Sequence, residues 1–317
     1  MNLKSYITRS AWRIAFVAAT LTVGACDAVN EAIDEIDDIG NDADVYYYVS
    51  LGTSLSVGIQ PDSNGLAIPT NDGYADQLFD SIRPPFEAAA TQPTELRLIK
   101  LGCPGETLDN MINGRSCPYL AGSQLEAAVD FLSDHTAKVH LVTIDMGAND
   151  FRDANCIGNV DNPDCLSDVS AQIATDLAIV LAALNDAAGP NTTIIGVNYY
   201  NPYLALWLDD PAGQALAMES ALVVGSLMDM LDMTYGTAGI LVADVAEAFK
   251  SDDFTTLVPS SLPPPNDMLM LPLNVANICD FTFMCTPGPR GPDIHANDAG
   301  YSLIADTIKL TLDAPPP

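Results

Sequence analysis

Compact apolar and β-branched runs alternate along this chain with longer stretches in which apolar residues recur every three or four positions. The runs fall at Val45–Leu51, Leu96–Leu101, Val139–Asp145, Thr193–Tyr199 and Ile240–Val245. The helically spaced stretches are Tyr74–Ile82, Ser123–Asp134, Asp168–Ala188, Gly213–Tyr235 and Asn297–Leu312. A run that is apolar almost throughout fits a strand buried on both faces, because a half-exposed strand would alternate. Strands of this kind alternating with helices predict an α/β fold: a flavodoxin-like parallel sheet of about five strands inside a three-layer α/β/α sandwich. Its crossovers should be right-handed. No internal repeat is visible, and one domain over about 45–313 accounts for the pattern. Pro259–Pro265 and the Pro315–Pro317 tail break it, so Ser251–Pro292 reads as a long loop region.

The N-terminus follows a different logic. Lys4, Arg9 and Arg13 lead into apolar Ile14–Val23, which reads as a secretory signal peptide over 1–25. The apolar core is roughly half of the ~20 residues that a membrane-spanning helix needs. It ends in Val23-Gly24-Ala25-Cys26, which resembles a bacterial lipobox. Lipidation of Cys26 would anchor the protein to the cell envelope, whereas cleavage after Gly24 or Ala25 would leave it freely secreted. Either route places it outside the cytoplasm. No other stretch reads as long and apolar enough to cross a membrane. Residues 26–44 are expected to form an acidic tether outside the core, with eight acids and no base from Asp27 to Asp44.

Charge narrows the partners. Asp and Glu total 42 against 12 Lys and Arg, a formal net charge of −30. Such a field repels nucleic acid and anionic lipid, so neither is an expected partner, and membrane contact is expected only through a lipid on Cys26. The protein is expected to be a monomer. Apart from Cys26, the cysteines fall into sequence-close pairs: Cys103 with Cys117, Cys156 with Cys165, and Cys279 with Cys285. An even number in an exported chain favours disulfides, and local pairing is the simplest of the 15 possible connectivities. No CxxC spacing occurs and histidine is scarce, so zinc is a poor fit, and the acidic loops lack the D-x-D-x-D-G order of a calcium loop. No metal and no cofactor are expected.

In open parallel sheets, sites gather beyond the carboxyl ends of the strands. There the chain carries Ser50-Leu51-Gly52-Thr53-Ser54-Leu55, then Gly102-Cys103-Pro104-Gly105-Glu106-Thr107, then Gly147-Ala148-Asn149-Asp150, and before the last helix Asp293-Ile294-His295-Ala296-Asn297. Cleaving an ester needs a hydroxyl nucleophile, a base to take its proton and donors for the developing oxyanion. Ser54 stands beside a glycine where a strand turns toward a helix, so its hydroxyl can be presented. Of the three histidines, His140 lies within a strand and His135 at a helix end, which leaves His295 as the base. The Ser54 and Gly105 backbone N–H groups and the Asn149 side-chain amide are the candidate oxyanion donors. Asp145, at a strand end near the site, reads either as tuning it or, in preference, as stabilising a loop by hydrogen bonding, and Asp150 is expected to organise the Asn149 turn. The cluster Tyr199-Tyr200-Asn201-Pro202-Tyr203 with Trp207 reads either as pocket lining or as ordinary packing.

These four segments, in this order, resemble the sequence blocks of the SGNH (GDSL-type) lipase and esterase family, and the resemblance covers essentially all of 45–313. It implies the SGNH hydrolase fold and an exported serine esterase or lipase acting through an acyl-enzyme on a small-molecule, lipid or glycan ester. It carries the nucleophile to Ser54, the oxyanion glycine and asparagine to Gly105 and Asn149, and the base to His295. Two departures stand out. Gly-Asp-Ser-Leu reads Gly52-Thr53-Ser54-Leu55 here, so the acid before the nucleophile is missing. The triad acid commonly lies three residues before the histidine, where this chain has Pro292; Asp293 lies two before it, and in extended backbone shares its face. Asp293 or a backbone carbonyl of Gly291 or Pro292 would orient the ring. The alternatives are a carbohydrate O-deacetylase using the same residues and a non-catalytic surface lipoprotein of the same fold.

Overall fold

The computed structural model describes residues 43–156 and 164–314. The signal peptide, Cys26 and the acidic segment up to Asp42 lie outside the described residues. Five strands form one parallel sheet: β1 (Asp44–Gly52), β2 (Thr94–Lys100), β3 (Val139–Asp145), β4 (Thr193–Val197) and β5 (Leu241–Ala243). Their order is β2-β1-β3-β4-β5, which is the flavodoxin-like order. Five long helices cover it: α1 (Tyr74–Ala89), α2 (Gln124–Asp134), α3 (Cys165–Ala187), α4 (Pro211–Thr237) and α5 (Asp298–Asp313). α1 packs against α5, and α2 against α3 against α4, which makes the two outer layers of an α/β/α sandwich.

The apolar runs become strands because both of their faces are covered. Tyr48, Val49 and Leu51 of β1 and Leu141, Val142 and Ile144 of β3 are completely buried. The helices contribute their apolar stripes, such as Leu177, Leu181 and Leu184 on α3 and Ile304 and Ile308 on α5.

Three expectations change. Ser251–Pro292 is not one long loop: Leu257–Pro259 pairs antiparallel with Met270–Pro272, and a helix runs over Leu273–Phe281. The prolines at 263–265 occupy only the connection between the paired strands, and Leu271, Val275 and Ala276 close a small second core with Trp207 and Val258. The fourth and fifth strands are shorter than their apolar runs. Asn198 leaves the sheet with its amide on Asp232 and Asp244, and Asp244 caps a short helix over Val245–Ala248. Finally, α3 is long and apolar enough, by length and composition, to cross a membrane, with a mean hydropathy of 1.4 over its best window. Alanine-rich sequence with few charges produces this, and the helix packs on the sheet side through Ile173, Leu177 and Leu181. The six cysteines pair as expected, Cys103–Cys117, Cys156–Cys165 and Cys279–Cys285.

Candidate active site

The end of β1 builds the first wall of the site. Parallel pairing sets Asp145, the last residue of β3, directly across from Gly52. Gly52 has φ of 131°, and a β-carbon there would come within 2.6 Å of the Asp145 carboxyl carbon, so only glycine fits. Gln124 clamps its backbone from both sides, accepting from Gly52 N–H (2.6 Å) and donating to Gly52 C=O (3.0 Å). Thr53 caps the helical turn Ser54–Val57, its hydroxyl accepting from Leu55 N–H. Ser54 is the one residue of 51–56 that is not buried. The turn therefore presents a single hydroxyl to the surface.

The segments carrying Gly105 and Asn149 meet beside this turn. Cys103 N–H donates to Gly52 C=O (3.0 Å), which lays the Gly102–Glu106 segment along the end of β1. Gly105 has φ of 76°, is exposed, and has nothing within 4 Å of where a β-carbon would stand, so its backbone borders open space. Asn149, buried in the helix Ala148–Ala154, donates from Nδ2 to Glu106 C=O (2.8 Å). Asp150 lies in the first turn of the same helix and also reaches beyond it. Its carboxylate accepts from Leu108 N–H (3.0 and 3.2 Å) at the start of the helix Leu108–Asn113, because that helix end offers unpaired N–H groups. The Cys103–Cys117 disulfide closes the loop containing Gly105. Burial pushes the Glu106 carboxyl up to about 7 and the Asp150 carboxyl up to about 6.

His295 sits half-buried on a segment tied down on both sides. Its Nδ1 and the Asp293 Oδ1 are 2.7 Å apart, and the same oxygen accepts from His295 N–H at 2.9 Å. The ring nitrogen Nδ1 thus has the Asp293 carboxylate as its partner. Burial works against ionisation of Asp293, but the bonds from His295 outweigh it and hold the carboxyl below its ordinary value. Phe283 N–H donates to His295 C=O (3.0 Å), Asp293 N–H to Phe283 C=O (3.1 Å) and Tyr200 hydroxyl to Ile294 C=O (2.7 Å).

The segments that carry Ser54 and His295 are linked through the three residues Ile59–Pro61, which follow the Ser54 turn. Arg290 Nε donates to Pro61 C=O (3.1 Å), Gln60 Nε2 to Asp298 Oδ1 (2.7 Å) and Tyr301 hydroxyl to Ile59 C=O (2.8 Å). The segment after the serine is thus bonded to residues on both sides of the histidine. The other two histidines are structural: His135 stacks on Phe131 and bonds its carbonyl, and His140 packs on Phe86. The aromatic cluster packs as well, with Tyr199 and Tyr200 buried, Tyr200 on Phe249 and Trp207 against Phe254.

Several supporting residues carry no sequence signal of their own. Gln124 is an ordinary residue at a helix start, Gln60 and Tyr74 (whose hydroxyl donates to Asp145) belong to no motif, and the aromatic cluster around Tyr200 gives no sign that its hydroxyl holds the histidine segment. Their partners lie between 71 and 238 positions away along the chain.

A scan against protein-family models finds no match, and no curated protein matches the sequence. Among solved structures the chain is similar to the lipase Lip_vut3 from a goat rumen metagenome, at 14% identity and a TM-score of 0.47 over 84% of this chain and 97% of that one. It is also similar to a variant of Axe2, an acetyl xylan esterase from Geobacillus stearothermophilus, at 13% identity and a TM-score of 0.47 over 86% and 96%. LAE5, an alpha/beta hydrolase enzyme from the metagenome of Lake Arreo in Spain, gives 16% identity and a TM-score of 0.47 over 85% and 95%. None of these likenesses reaches a TM-score of 0.5.

Proposed function

We propose that this protein is an exported serine hydrolase that cleaves carboxylic esters, with Ser54 as nucleophile, His295 as base and Asp293 as the acid that orients it. The observation that carries this is the 2.7 Å bond from Asp293 to His295 Nδ1, on a segment joined to the Ser54 turn through Ile59–Pro61. With Nδ1 held by the carboxylate, Nε2 is left as the acceptor for a hydroxyl proton. Ser54 Oγ attacks the ester carbonyl carbon while His295 Nε2 takes its proton. The tetrahedral intermediate collapses, the bond to the alcohol oxygen breaks, and His295 returns the proton to the leaving alcohol. Water then attacks the acyl-enzyme with His295 again as base, releasing the acid and restoring Ser54.

The oxyanion is met by the Ser54 and Gly105 N–H groups and by Asn149. One Asn149 N–H is held by the Glu106 carbonyl, which fixes the amide plane and leaves the other N–H for the substrate. Three disulfides suit an oxidising compartment outside the cytoplasm, in keeping with export. The purified protein is expected to hydrolyse short p-nitrophenyl esters, and a fluorophosphonate probe to label Ser54. Hydrolysis that persists unchanged in Ser54→Ala would remove the proposal.

A further inference from the structure

Asp145 is completely buried at the end of β3, where an ionised carboxylate is expensive unless donors surround it. Its donors come from the Ser54 turn and from the start of α1. Thr53 N–H (2.9 Å) and Thr53 hydroxyl (2.6 Å) both donate to Oδ1, and Tyr74 hydroxyl at the start of α1 donates to Oδ2 (2.7 Å). With both oxygens engaged, the carboxylate cannot rotate. The missing side chain at Gly52 is what gives it room.

We propose that Asp145 is the positioning residue of the Ser54 nucleophile: from the strand beside β1 it grips Thr53 by backbone and side chain, and so fixes the direction in which Ser54 leaves the turn. This rests on the reading of Ser54 as the nucleophile. The Thr53 hydroxyl gives its proton to Asp145 and accepts Leu55 N–H, so a continuous relay of hydrogen bonds passes from one side of Ser54 to the other. Ser56 hydroxyl closes the same loop on Thr53 C=O at 2.7 Å. Residues 53, 55 and 56 are therefore tied and buried, and residue 54 is the one left to present its side chain. Thr53 stands where the GDSL pattern has its acid. Here the acid comes from across the sheet.

The test uses the purified full chain and three variants, each checked for folding by circular dichroism. Asp145→Asn keeps the size of the side chain and replaces one accepting oxygen by an amide nitrogen that can only donate. Thr53→Val and Tyr74→Phe each remove a hydroxyl from one carboxylate oxygen. A displaced nucleophile slows chemistry without weakening substrate binding, and a misplacement on the order of 1 Å costs up to about 10²-fold. Asp145→Asn and Thr53→Val are expected to lower both kcat on p-nitrophenyl acetate and the rate of fluorophosphonate labelling at Ser54 by roughly tenfold to a hundredfold, with KM within about twofold. Tyr74→Phe should move the same two rates in the same direction.

Folded Asp145→Asn and Thr53→Val with wild-type kcat and labelling rate would overturn the proposal, as would a change confined to KM. If Asp145→Asn does not fold, Thr53→Val decides alone. A wild-type protein labelled at Ser54 with unaffected variants rejects the positioning role only. A wild-type protein that neither hydrolyses esters nor labels at Ser54 rejects the nucleophile and the positioning role together.

Discussion

Asp293 holds His295 twice with one oxygen, accepting from the ring Nδ1 at 2.7 Å and from the backbone N–H at 2.9 Å. Two hydrogen bonds to a single oxygen fix both the ring and the peptide that carries it. This is possible because the two residues lie two apart in non-helical backbone. The position three ahead of the histidine holds Pro292, and the carboxylate bonded to the ring comes from two ahead.

Replacing Asp293 by Asn keeps its size but offers Nδ1 an amide in place of an anion. The imidazole loses the partner that selects its tautomer and stabilises the imidazolium. Turnover is expected to fall by roughly two to four orders of magnitude while the protein stays folded. Steady-state kinetics on p-nitrophenyl acetate measures this directly. Near-normal turnover would transfer the orienting role to a backbone carbonyl.

Asn149→Ala removes the proposed oxyanion donor and unties the Glu106 carbonyl from the start of its helix. Turnover is expected to drop by about 10²–10³. Because the lost contact matters mainly in the transition state, KM should change far less than kcat. A variant whose KM alone rises would place Asn149 in substrate binding.

The Cys103–Cys117 bridge closes a loop with a sequence separation of 14 around Gly105. Loops of about 15 residues closed in this way contribute roughly 3 kcal/mol in the chain-entropy model. The double variant Cys103→Ser with Cys117→Ser should melt at a lower temperature. Its turnover should fall too, because the Gly105 backbone loses a constraint. Unchanged melting would show that the loop is already held by its hydrogen bonds.

Stability should fall as pH rises from about 5 to 8. Burial pushes Asp145 and Glu106 up to about 7 and Asp150 up to about 6, from ordinary values of 3.8 for aspartate and 4.5 for glutamate. Within that window the folded protein keeps protons that the unfolded chain has released. Their contribution is complete below the ordinary values and is lost as pH passes through 6 and 7. Asp293 has the opposite sign and acts only at more acidic pH. Urea midpoints measured at pH 5 and pH 8 should differ, and Asp145→Asn should narrow the difference. Equal midpoints in the wild-type protein would contradict the burial of these protons.

Much of this molecule was legible in local sequence. Runs such as Val139–Asp145 declare a strand covered on both faces, and the periodic stretch at Asn297–Leu312 declares a helix, because both signals depend on neighbouring residues. Close spacing likewise pointed to the three cysteine pairs. The scarcity of histidine and the strand-to-helix turn are also what nominate His295 and Ser54 for the roles proposed above. Prolines misled over 251–292, because a breaker marks a turn and says nothing of the paired strands and helix beside it.

What only the tertiary structure decided is everything carried by partners far apart in the chain. The order β2-β1-β3-β4-β5 is one of these. So are the register that sets Asp145 opposite Gly52, the grip of Asp145 on a threonine 92 positions away, and the Tyr200 bond that holds the histidine segment from 94 positions away. Local propensity chooses an element. Which side chains face each other across the ends of the strands follows only once the sheet has assembled, and the site is built there.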